Sequence, residues 1–335
     1  MEQGGGPLNA VQKARLALAV LSTLRGSRPR PIAVAWLVTG RCAGRCEYCR
    51  WRSLRDMPEL DSSAAHRMID QMADAGVCMV SFTGGEPLLR DDIGELVDHV
   101  AARGMVCKLN TNGQLLTRSV DKLRRLDLLQ VSLDGPPAVH DRLRGAGTSS
   151  QAASAIALAR RSGIPVQAVA CLTRDVVRHL DEVLEQAREL RVKLLVQPLA
   201  PPSSLEKDDF DAAPAPAELR AALERLHRLR RGRGPMRRAI GTTAGELDHY
   251  IEVARGVHTG CHCALVTATM LPDGGLIFCG NARDQDPIDA VRLGFARAFA
   301  RLTIPECDGC TCVGKLRISR VARLDPSVLL EVIRL

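Results

Sequence analysis

The stretch between residues 32 and 230 alternates short apolar segments with amphipathic ones, and this alternation constrains the fold more than any other feature. Six apolar segments have the length and residue types of buried strands, and each is followed by helical spacing of apolar residues. The predicted strands are 32–38, 77–82, 105–110, 128–133, 166–172 and 193–196. Strands that alternate with helices form a parallel sheet. Eight such units would close a barrel, so six predict an α/β fold with a partial, TIM-like (β/α)6 barrel.

The chain has 335 residues, enough for one large domain and a small one. We predict an N-terminal extension over residues 1–31, the partial barrel over 32–232 and a small C-terminal domain over 233–335. Apolar residues at helical spacing over 11–24 predict a helix that covers the bottom of the barrel. A peripheral membrane contact through this helix is the alternative. No segment has the length and apolar character of a transmembrane helix.

Three cysteines with CxxxCxxC spacing, Cys42, Cys46 and Cys49, follow the first predicted strand. Thiolates bind soft metals and iron–sulfur clusters. Three thiolates on a cluster of four irons leave one iron without a protein ligand, and an open metal position can bind a substrate or cofactor, as on catalytic zinc. The residues therefore favour a catalytic cluster, with a four-ligand structural zinc site as the alternative.

Glycine-rich and small polar motifs follow the next predicted strands, at the ends where parallel barrels carry their chemistry. The second strand leads into Gly84, Gly85, Glu86 and Pro87. Adjacent glycines let the backbone approach a ligand closely, and the Glu86 carboxylate can accept hydrogen bonds from an ammonium group. The third and fourth strands end on small polar residues that suit ribose hydroxyls and a carboxylate, among them Asn110, Thr111 and Ser132. The sixth strand ends on Gln197.

Together, the cysteine spacing, the GGEP segment, the NTNG segment and the SLDG segment with its downstream HDRLR resemble the radical S-adenosylmethionine (SAM) superfamily. The resemblance implies the same partial barrel, with a [4Fe–4S] cluster whose open iron is chelated by the amino and carboxylate groups of SAM. It implies that one electron from the cluster cleaves SAM into methionine and a 5′-deoxyadenosyl radical, which abstracts hydrogen from the substrate. Because such abstraction needs no acid or base, no general acid or base is assigned.

The resemblance also implies contacts with SAM. The GGEP segment is expected to bind the amino group, and Tyr48 is expected to lie beside the cluster and the adenine. Ser132 and Arg144 are expected to contact SAM, with Arg144 suited to its carboxylate, while Gln197 lies where family members approach the adenine. For Asn112 and Asp134, the alternative is that they only shape turns.

The last 75 residues contain a second group of cysteines, Cys261, Cys263, Cys279, Cys307, Cys310 and Cys312. A predicted hairpin turn over 271–275 precedes Cys279, and the GxxxxC spacing that ends there resembles the SPASM and twitch extensions of radical SAM enzymes. Those extensions bind auxiliary [4Fe–4S] clusters. No cysteine follows Cys312, which departs from the full SPASM pattern. We expect one auxiliary cluster on Cys279, one of the first pair and two of the last three. Two incompletely ligated clusters and a structural zinc site are the alternatives.

Members of the family with auxiliary clusters mostly modify ribosomally made peptides or proteins by oxidation or crosslinking, and this is the reaction we expect. Radical oxidation or rearrangement of a sugar, nucleotide or lipid headgroup is the alternative. Flavodoxin or ferredoxin is the expected kind of one-electron donor. The net charge of +8 includes an arginine cluster over 228–238 that fits an acidic leader peptide, a phosphorylated small molecule or a lipid headgroup.

A non-catalytic metal protein that binds nucleic acid is a further alternative to an enzyme. It does not explain the motifs at successive strand ends, and an aromatic content of 3% disfavours base stacking. The twelve cysteines occur in a long chain with no recognisable signal peptide. They therefore predict a reducing compartment, the cytoplasm.

Overall fold

The strands of this computed structural model form a sheet of nine members within the described residues, 10–25, 30–49, 51–199, 212–257, 266–280, 285–303 and 310–325. The strands are β1 (Ala33–Thr39), β2 (Met79–Gly84), β3 (Val106–Thr111), β4 (Leu128–Ser132), β5 (Val166–Leu172), β6 (Lys193–Pro198), β7 (Thr267–Met270), β8 (Gly275–Ile277) and β9 (Ile288–Asp289). The six strands predicted from the sequence are confirmed, with ends that differ by two residues or fewer.

Helices connect the strands. They are α1 (Ala10–Arg25), α2 (Ser62–Asp74), α3 (Ile93–Ala102), α4 (Leu116–Ser119), α5 (Pro137–Arg144), α6 (Thr148–Arg161), α7 (Arg174–Arg178), α8 (Leu180–Glu189), α9 (Pro216–Arg231), α10 (Pro235–Ala239), α11 (Ala244–Ala254), α12 (Ala290–Leu293), α13 (Phe295–Phe299) and α14 (Val313–Ala322). Short 3₁₀ helices span Arg52–Leu54, Pro87–Leu89 and Val120–Leu123. Asp61 caps the start of α2, because its Oδ1 accepts a hydrogen bond from Ala64 N at 2.7 Å.

Strands β1 to β6 lie side by side in the order in which they occur in the sequence. The order of the whole sheet is β6-β5-β4-β3-β2-β1-β7-β8-β9, and each of β1 to β6 pairs in parallel with its neighbours in the sequence. Side chains alternate between the two faces. Val34, Trp36, Val80 and Leu109 belong to the main apolar core, on what we call the outer face. The opposite inner face carries polar residues, including Lys108.

Helix α14 crosses the inner face and reaches both flanks of the six-stranded portion. Val313 N donates to Gln197 Oε1 of β6 at 3.4 Å, and Lys315 Nζ donates to Thr267 Oγ1 of β7 at 3.4 Å. Five strands separate β6 from β7, so a flat sheet would hold them roughly 29 Å apart at the usual strand spacing. Residues two apart on one helix cannot span that distance. The sheet therefore curves around α14, as an open barrel requires.

Polar residues of α14 are buried in this arrangement. Arg317 is buried and donates to both carboxylate oxygens of Glu246 in α11 at 2.8 Å. Desolvation, and next the charge of Arg317, lower the pKa of Lys108 to about 8. Further along the helix, Ile318 and Val321 pack with residues at the starts of β1 to β3. The helix thus runs from the carboxyl ends of the strands to their amino ends.

Helix α1 packs at the amino ends of the strands, as the sequence predicts for a helix that covers the bottom of the barrel. The Arg15 guanidinium donates to the carbonyl oxygens of Arg103, Ala73 and Val77 at 2.9, 3.0 and 3.1 Å. These bonds satisfy carbonyls at and just beyond the ends of α2 and α3. No helix in the described ranges is both long and apolar enough to cross a bilayer.

The segment after residue 232, which the sequence predicts to form a small C-terminal domain, pairs with the six predicted strands and extends their sheet. Strand β7 pairs in parallel with β1, and Ile240 pairs with Leu194 of β6. Strands β8 and β9 then extend the sheet with antiparallel pairing, and the predicted hairpin at 271–275 joins β7 to β8. The segment is thus continuous with the barrel sheet at both edges, and the boundary at residues 232 and 233 stays a prediction.

Candidate active site and metal centres

The three cysteines of the CxxxCxxC segment lie in the loop after β1, and arginines hold the backbone of this loop. Arg52 Nη2 donates to Cys46 O at 2.6 Å, and the Arg55 guanidinium donates to Gly44 O. Cys42, Cys46 and Cys49 are half-buried. The loop is therefore fixed through its backbone, and its cysteines lie partly at the surface.

The donor set of this loop fits an iron–sulfur cluster. A Cβ placed on Gly44 would lie 3.3 Å from Cys42 Sγ and 3.7 Å from Cys46 Sγ, so the two thiols flank the same point. Among the described residues, no three Cys, His, Asp or Glu side chains converge as ligands of a single ion. In a four-iron cluster each thiolate binds a different iron, which requires wider spacing than one ion does. Three neighbouring thiols thus suit a sulfur-preferring cluster.

Two thiols of this loop, those of Cys42 and Cys46, are protonated more readily than free cysteine. Burial raises the pKa of Cys42 and of Cys46, although the charge of Arg144 acts in the opposite direction on Cys46. Metal ligation requires the thiolate form. Cluster binding by this loop would therefore release protons.

The glycines of the GGEP segment let two backbone segments approach each other. A Cβ on Gly84 would lie 2.4 Å from Thr39 O, and one on Gly85 would lie 2.1 Å from Arg41 O. Gly85 N donates to Thr39 O, and Glu86 N donates to Arg41 O, both at 2.8 Å. The contact between this turn and the base of the cysteine loop therefore requires both glycines. Their close approach to a ligand, which the sequence predicts, stays a prediction.

Glu86 joins the end of β2 to the end of β3. Its buried carboxylate accepts hydrogen bonds from Thr111 Oγ1 at 2.8 Å, Asn112 N at 2.8 Å and Leu88 N at 3.2 Å. Burial raises the pKa of Glu86, and these hydrogen bonds oppose the rise. Pro87, also buried, starts the following 3₁₀ helix. Glu86 and Thr111 are thus committed to the turn, and their contacts with SAM stay predictions.

Arg144, the last residue of α5, bonds a carboxylate of this chain. Its Nε donates to Asp134 Oδ2, and the Tyr48 hydroxyl donates to the same oxygen. Asp134 is fully buried, and its Oδ1 accepts from Cys171 N at 3.0 Å. The Arg144 guanidinium also lies 5.4 Å from the centre of the Tyr48 ring and 3.9 Å from Cys46 Sγ. This network joins the cysteine loop to the ends of β4 and β5.

Asp134 therefore does more than shape its turn, which is the alternative that the sequence leaves open. Its backbone N–H is also bonded, to His140 Nδ1 at 3.1 Å. Burial lowers the pKa of His140 to about 4, so the imidazole is neutral and can accept this bond. The SLDG and HDRLR motifs contain these residues, but their pairing depends on how α5 folds back.

The other predicted contacts lie on the inner face. Asn110 and Ser132 stand near the carboxyl ends of β3 and β4, with their side chains half-buried. Gln197 accepts a bond from Val313 N at the start of α14. Gln197 is thus committed to holding α14, and its contact with adenine stays a prediction.

Three of the six C-terminal cysteines lie near the start of α14. Cys312 is the N-cap of α14, and Cys279 lies near enough for its charge to affect the Cys312 thiol. Burial raises the pKa of Cys312, while backbone bonds from Gly314 and Lys315 oppose the rise. The Cys310 carbonyl accepts a bond from His249 Nε2 at 3.0 Å. The predicted ligands Cys261, Cys263 and Cys307 lie outside the described residues.

Trp51 connects the two cysteine regions, a role that the sequence does not indicate. It lies two residues after Cys49, and its ring packs against Gly280, the residue after Cys279. A Cβ on Gly280 would lie 2.3 Å from Trp51 Cη2 and 2.9 Å from Cζ2. A glycine is therefore required where the indole ring meets this backbone.

We predict that Gly280→Ala destabilises the protein by about 1–3 kcal/mol, because the added methyl group overlaps a rigid ring. Urea unfolding checks this value. The matched control is Gly314→Ala, since a Cβ there meets nothing within 4 Å in helix α14, and alanine favours helices over glycine. Equal stability of Gly280→Ala and the wild type would contradict the contact with Trp51.

Comparisons with known proteins find similarity over part of the chain. Residues 36–190, which run from β1 to the end of α8, match the family model of the radical SAM superfamily. Over that segment the chain is similar to this superfamily of enzymes. The family uses a [4Fe–4S] cluster and SAM, in agreement with the prediction from the cysteine spacing.

Individual relatives match over part of their length. The AdoMet-dependent heme synthase of Nitratidesulfovibrio vulgaris is 31% identical over 170 residues, 49% of this chain and 46% of that protein. The mycofactocin maturase MftC of Mycobacterium tuberculosis is 35% identical over 179 residues, 51% of this chain and 45% of that protein. The chain thus spans about half the length of the curated relatives it matches.

Solved structures of low identity share the fold. Streptococcus suis SuiB bound to precursor peptide SuiA has a TM-score of 0.65 at 17% identity, covering 86% of this chain and 69% of that one. AdoMet-bound anSMEcpe has a TM-score of 0.64 at 18% identity, covering 81% and 80%. These matches extend beyond residues 36–190 and support a common α/β architecture.

Proposed function

We propose that this chain reductively cleaves SAM and uses the resulting radical to modify a ribosomally made peptide or protein. The observation that carries the first part is the meeting of the cysteine loop, the GGEP turn and the Arg144–Asp134 pair at the carboxyl ends of neighbouring strands. Chemistry in parallel barrels occurs at these ends. The partial barrel with its auxiliary-cluster segment belongs to this proposal.

In this proposal Cys42, Cys46 and Cys49 hold the cluster. Once bound, it supplies the electron that splits SAM into methionine and a 5′-deoxyadenosyl radical. The carboxylates of Glu86 and Asp134 bond other residues of this chain. The Glu86 carboxylate fixes the GGEP turn, and the Asp134 carboxylate fixes Arg144. The Nη1 of Arg144, which lies 3.9 Å from Cys46 Sγ, is the nitrogen that would meet the SAM carboxylate. The inner face next to Asn110 and Ser132 then receives the part of the substrate that loses hydrogen.

The similarity to MftC and the fold shared with peptide-bound SuiB favour a peptide substrate. The second candidate is a small molecule, favoured by the heme synthases and by Fe-coproporphyrin III synthase of Methanosarcina barkeri, which is 28% identical over 176 residues. Both candidates use the same SAM site. They differ only in what enters the barrel. An external one-electron donor such as flavodoxin or ferredoxin, and a cytoplasmic location, complete the proposal.

Hydrogen abstraction from a deuterated extract tests the substrate class. Cells that produce this protein are grown in deuterated medium, and their extract is divided into a peptide fraction and a small-molecule fraction. Each is incubated with the iron-loaded enzyme, SAM and dithionite. We expect deuterium in 5′-deoxyadenosine with the peptide fraction, and its loss after protease treatment. Protease-resistant deuterium transfer from the small-molecule fraction alone would support the second candidate instead.

We also propose that the C-terminal cysteines hold one auxiliary [4Fe–4S] cluster. The approach of Cys312 to Cys279 supports this assignment. Cys310, Cys307 and one of Cys261 and Cys263 are the other candidate ligands. The alternatives to one auxiliary cluster are two incompletely ligated clusters or a structural zinc site.

We predict that Cys279→Ala removes about four irons per chain and leaves the SAM-binding cluster in place, because the two sets of ligands are separate. Iron analysis and the electron paramagnetic resonance spectrum of the reduced protein check this. Cys78→Ala is the control, since Cys78 is a buried cysteine beside the amino ends of the strands. Unchanged iron content, or bound zinc in place of iron, would contradict the auxiliary cluster.

A further inference from the structure

The positive charge of the chain is concentrated in residues 216–238. This segment contains eight arginines and two glutamates, while the whole chain has a net charge of +8. The remaining residues are therefore close to neutral in sum. The positive charge is therefore not spread evenly over the surface. It produces a local positive electrostatic potential at helices α9 and α10.

A cleft of about 340 Å³ lies between the end of α9 and the start of α10. Three exposed arginines border it, Arg228, Arg233 and Arg237, and Leu229, Pro235 and Met236 supply apolar surface. The chain turns through Gly232 and Gly234 between the helices. Gly234 has a φ of +156°. We call this cleft the arginine groove.

The arginines that border the groove are not neutralised by this chain. Arg225, also in the lining, pairs with Asp181 through bonds of 2.8 and 2.9 Å. Arg228, Arg233 and Arg237 form no ion pair with a carboxylate in the part of the chain that the structure describes. Three like charges at one cleft repel one another, and an anionic ligand relieves that repulsion.

We infer that the arginine groove binds an acidic peptide segment, with carboxylates on Arg228, Arg233 and Arg237 and an apolar side chain on Leu229 and Met236. Guanidinium groups form bidentate bonds with carboxylates. The apolar surface gives a peptide side chain a contact that a phosphate chain lacks. The inference rests on the proposed peptide substrate, whose acidic segment would be held outside the barrel.

Other anionic macromolecules fit the groove less well. Residues 216–238 contain no Phe, Tyr or Trp on which a base could stack. A membrane-binding helix inserts an apolar face into the bilayer, but in α9 the residues Ala222, Leu223 and Leu226 are buried against the protein. Charge and apolar surface together therefore favour a peptide over RNA or a lipid surface.

Fluorescence anisotropy with labelled synthetic peptides tests the groove on the full chain, with its iron loaded and without SAM. The probe is a 15-residue peptide that repeats Glu-Glu-Leu. We expect binding that weakens as salt increases. Arg228→Glu/Arg233→Glu/Arg237→Glu should weaken it about tenfold or more, because three charge-assisted contacts become repulsive. A peptide that repeats Glu-Glu-Ser should bind more weakly than the probe.

The matched control is Arg118→Glu/Arg161→Glu/Arg297→Glu, which changes the net charge equally at three exposed arginines elsewhere. It should weaken binding less than about threefold, through the overall field alone. Equal weakening in both triple variants would overturn the inference, as would tighter binding of polyuridylate or phosphatidylserine vesicles than of the acidic peptide.

The binding result is distinct from the test of the proposed function. Formation of 5′-deoxyadenosine without peptide should be the same in the groove variant and the wild type, because the groove lies outside the barrel. If the acidic peptide binds at the groove but deuterium comes only from small molecules, the proposed substrate class fails. If deuterium comes from peptides and the groove variant binds and processes them normally, the groove inference fails alone.

Discussion

Replacing Cys42, Cys46 and Cys49 together with Ala is expected to remove about four irons per chain and to abolish SAM cleavage. The three thiols are the cluster ligands in this account, and the backbone bonds from Arg52 and Arg55 that shape their loop do not depend on them. Iron analysis and chromatographic measurement of 5′-deoxyadenosine check both parts. The C-terminal iron should remain, because its ligands lie in another segment.

The matched control for this variant is Cys107→Ala, a buried cysteine on the outer face of β3. Its iron content and SAM cleavage should equal those of the wild type once any difference in folded fraction is corrected. A triple variant that still forms 5′-deoxyadenosine would refute the assignment of the cluster to this loop.

Glu246→Ala is expected to destabilise the protein by about 3–5 kcal/mol. Glu246 is fully buried, and its carboxylate receives two bonds of 2.8 Å from the buried Arg317. Truncation leaves the guanidinium desolvated and without its charged partner, although Arg317 Nη2 keeps a bond to Gly241 O at 3.3 Å. The Glu246–Arg317 pair joins α11 to α14. The free energy of unfolding of the variant in urea therefore measures how much this pair contributes to holding α14 against the inner face of the sheet.

The double variant Glu246→Leu/Arg317→Met serves as the control for that loss, since it removes both charges and keeps similar volume. Replacing a buried ion pair with apolar groups is often close to neutral, so the double variant should recover most of the stability. A Glu246→Ala protein within 1 kcal/mol of the wild type would mean that the pair is not buried as described.

The same pair gives a pH dependence of stability. Burial opposes ionisation of Glu246, but the charge and hydrogen bonds of Arg317, with bonds from Thr243, hold its pKa below the ordinary value. A lowered folded-state pKa adds stability above the unfolded pKa, about 4.3 for Glu, and that stability is lost as pH falls through the folded pKa. Urea unfolding between pH 6 and 3 should show a larger loss for the wild type than for the double variant.

The strands of the barrel are predictable from the sequence because parallel strands are buried on both faces and produce short apolar runs. The strand at Val166–Leu172 has the predicted ends. The cysteine spacing is equally local, since a loop that offers three thiolates needs no distant residue. Pairing between distant segments is not local, and β7 has only four residues. The pairing of β7 with β1 depends on how the segment after residue 232 returns to the sheet.

The burial of helix α14 is a second feature that the sequence does not predict. Lys315, Arg317 and Ser319 would ordinarily be expected to face water, yet all three are buried. The reason is that the inner face of the sheet is itself polar, so a polar helix finds partners there. The contact of Trp51 with Gly280 likewise joins residues distant in sequence. The bond from Arg144 to Asp134 depends on how α5 folds back onto the end of β4.

Anaerobic incubation of the iron-loaded wild-type chain with SAM and dithionite tests the central claim most directly. The account predicts that methionine and 5′-deoxyadenosine form in equal amounts, and only when SAM and the reductant are both present. A chain that carries its full complement of iron and binds SAM, yet forms no 5′-deoxyadenosine under these conditions, would contradict the proposal that it acts as a radical SAM enzyme.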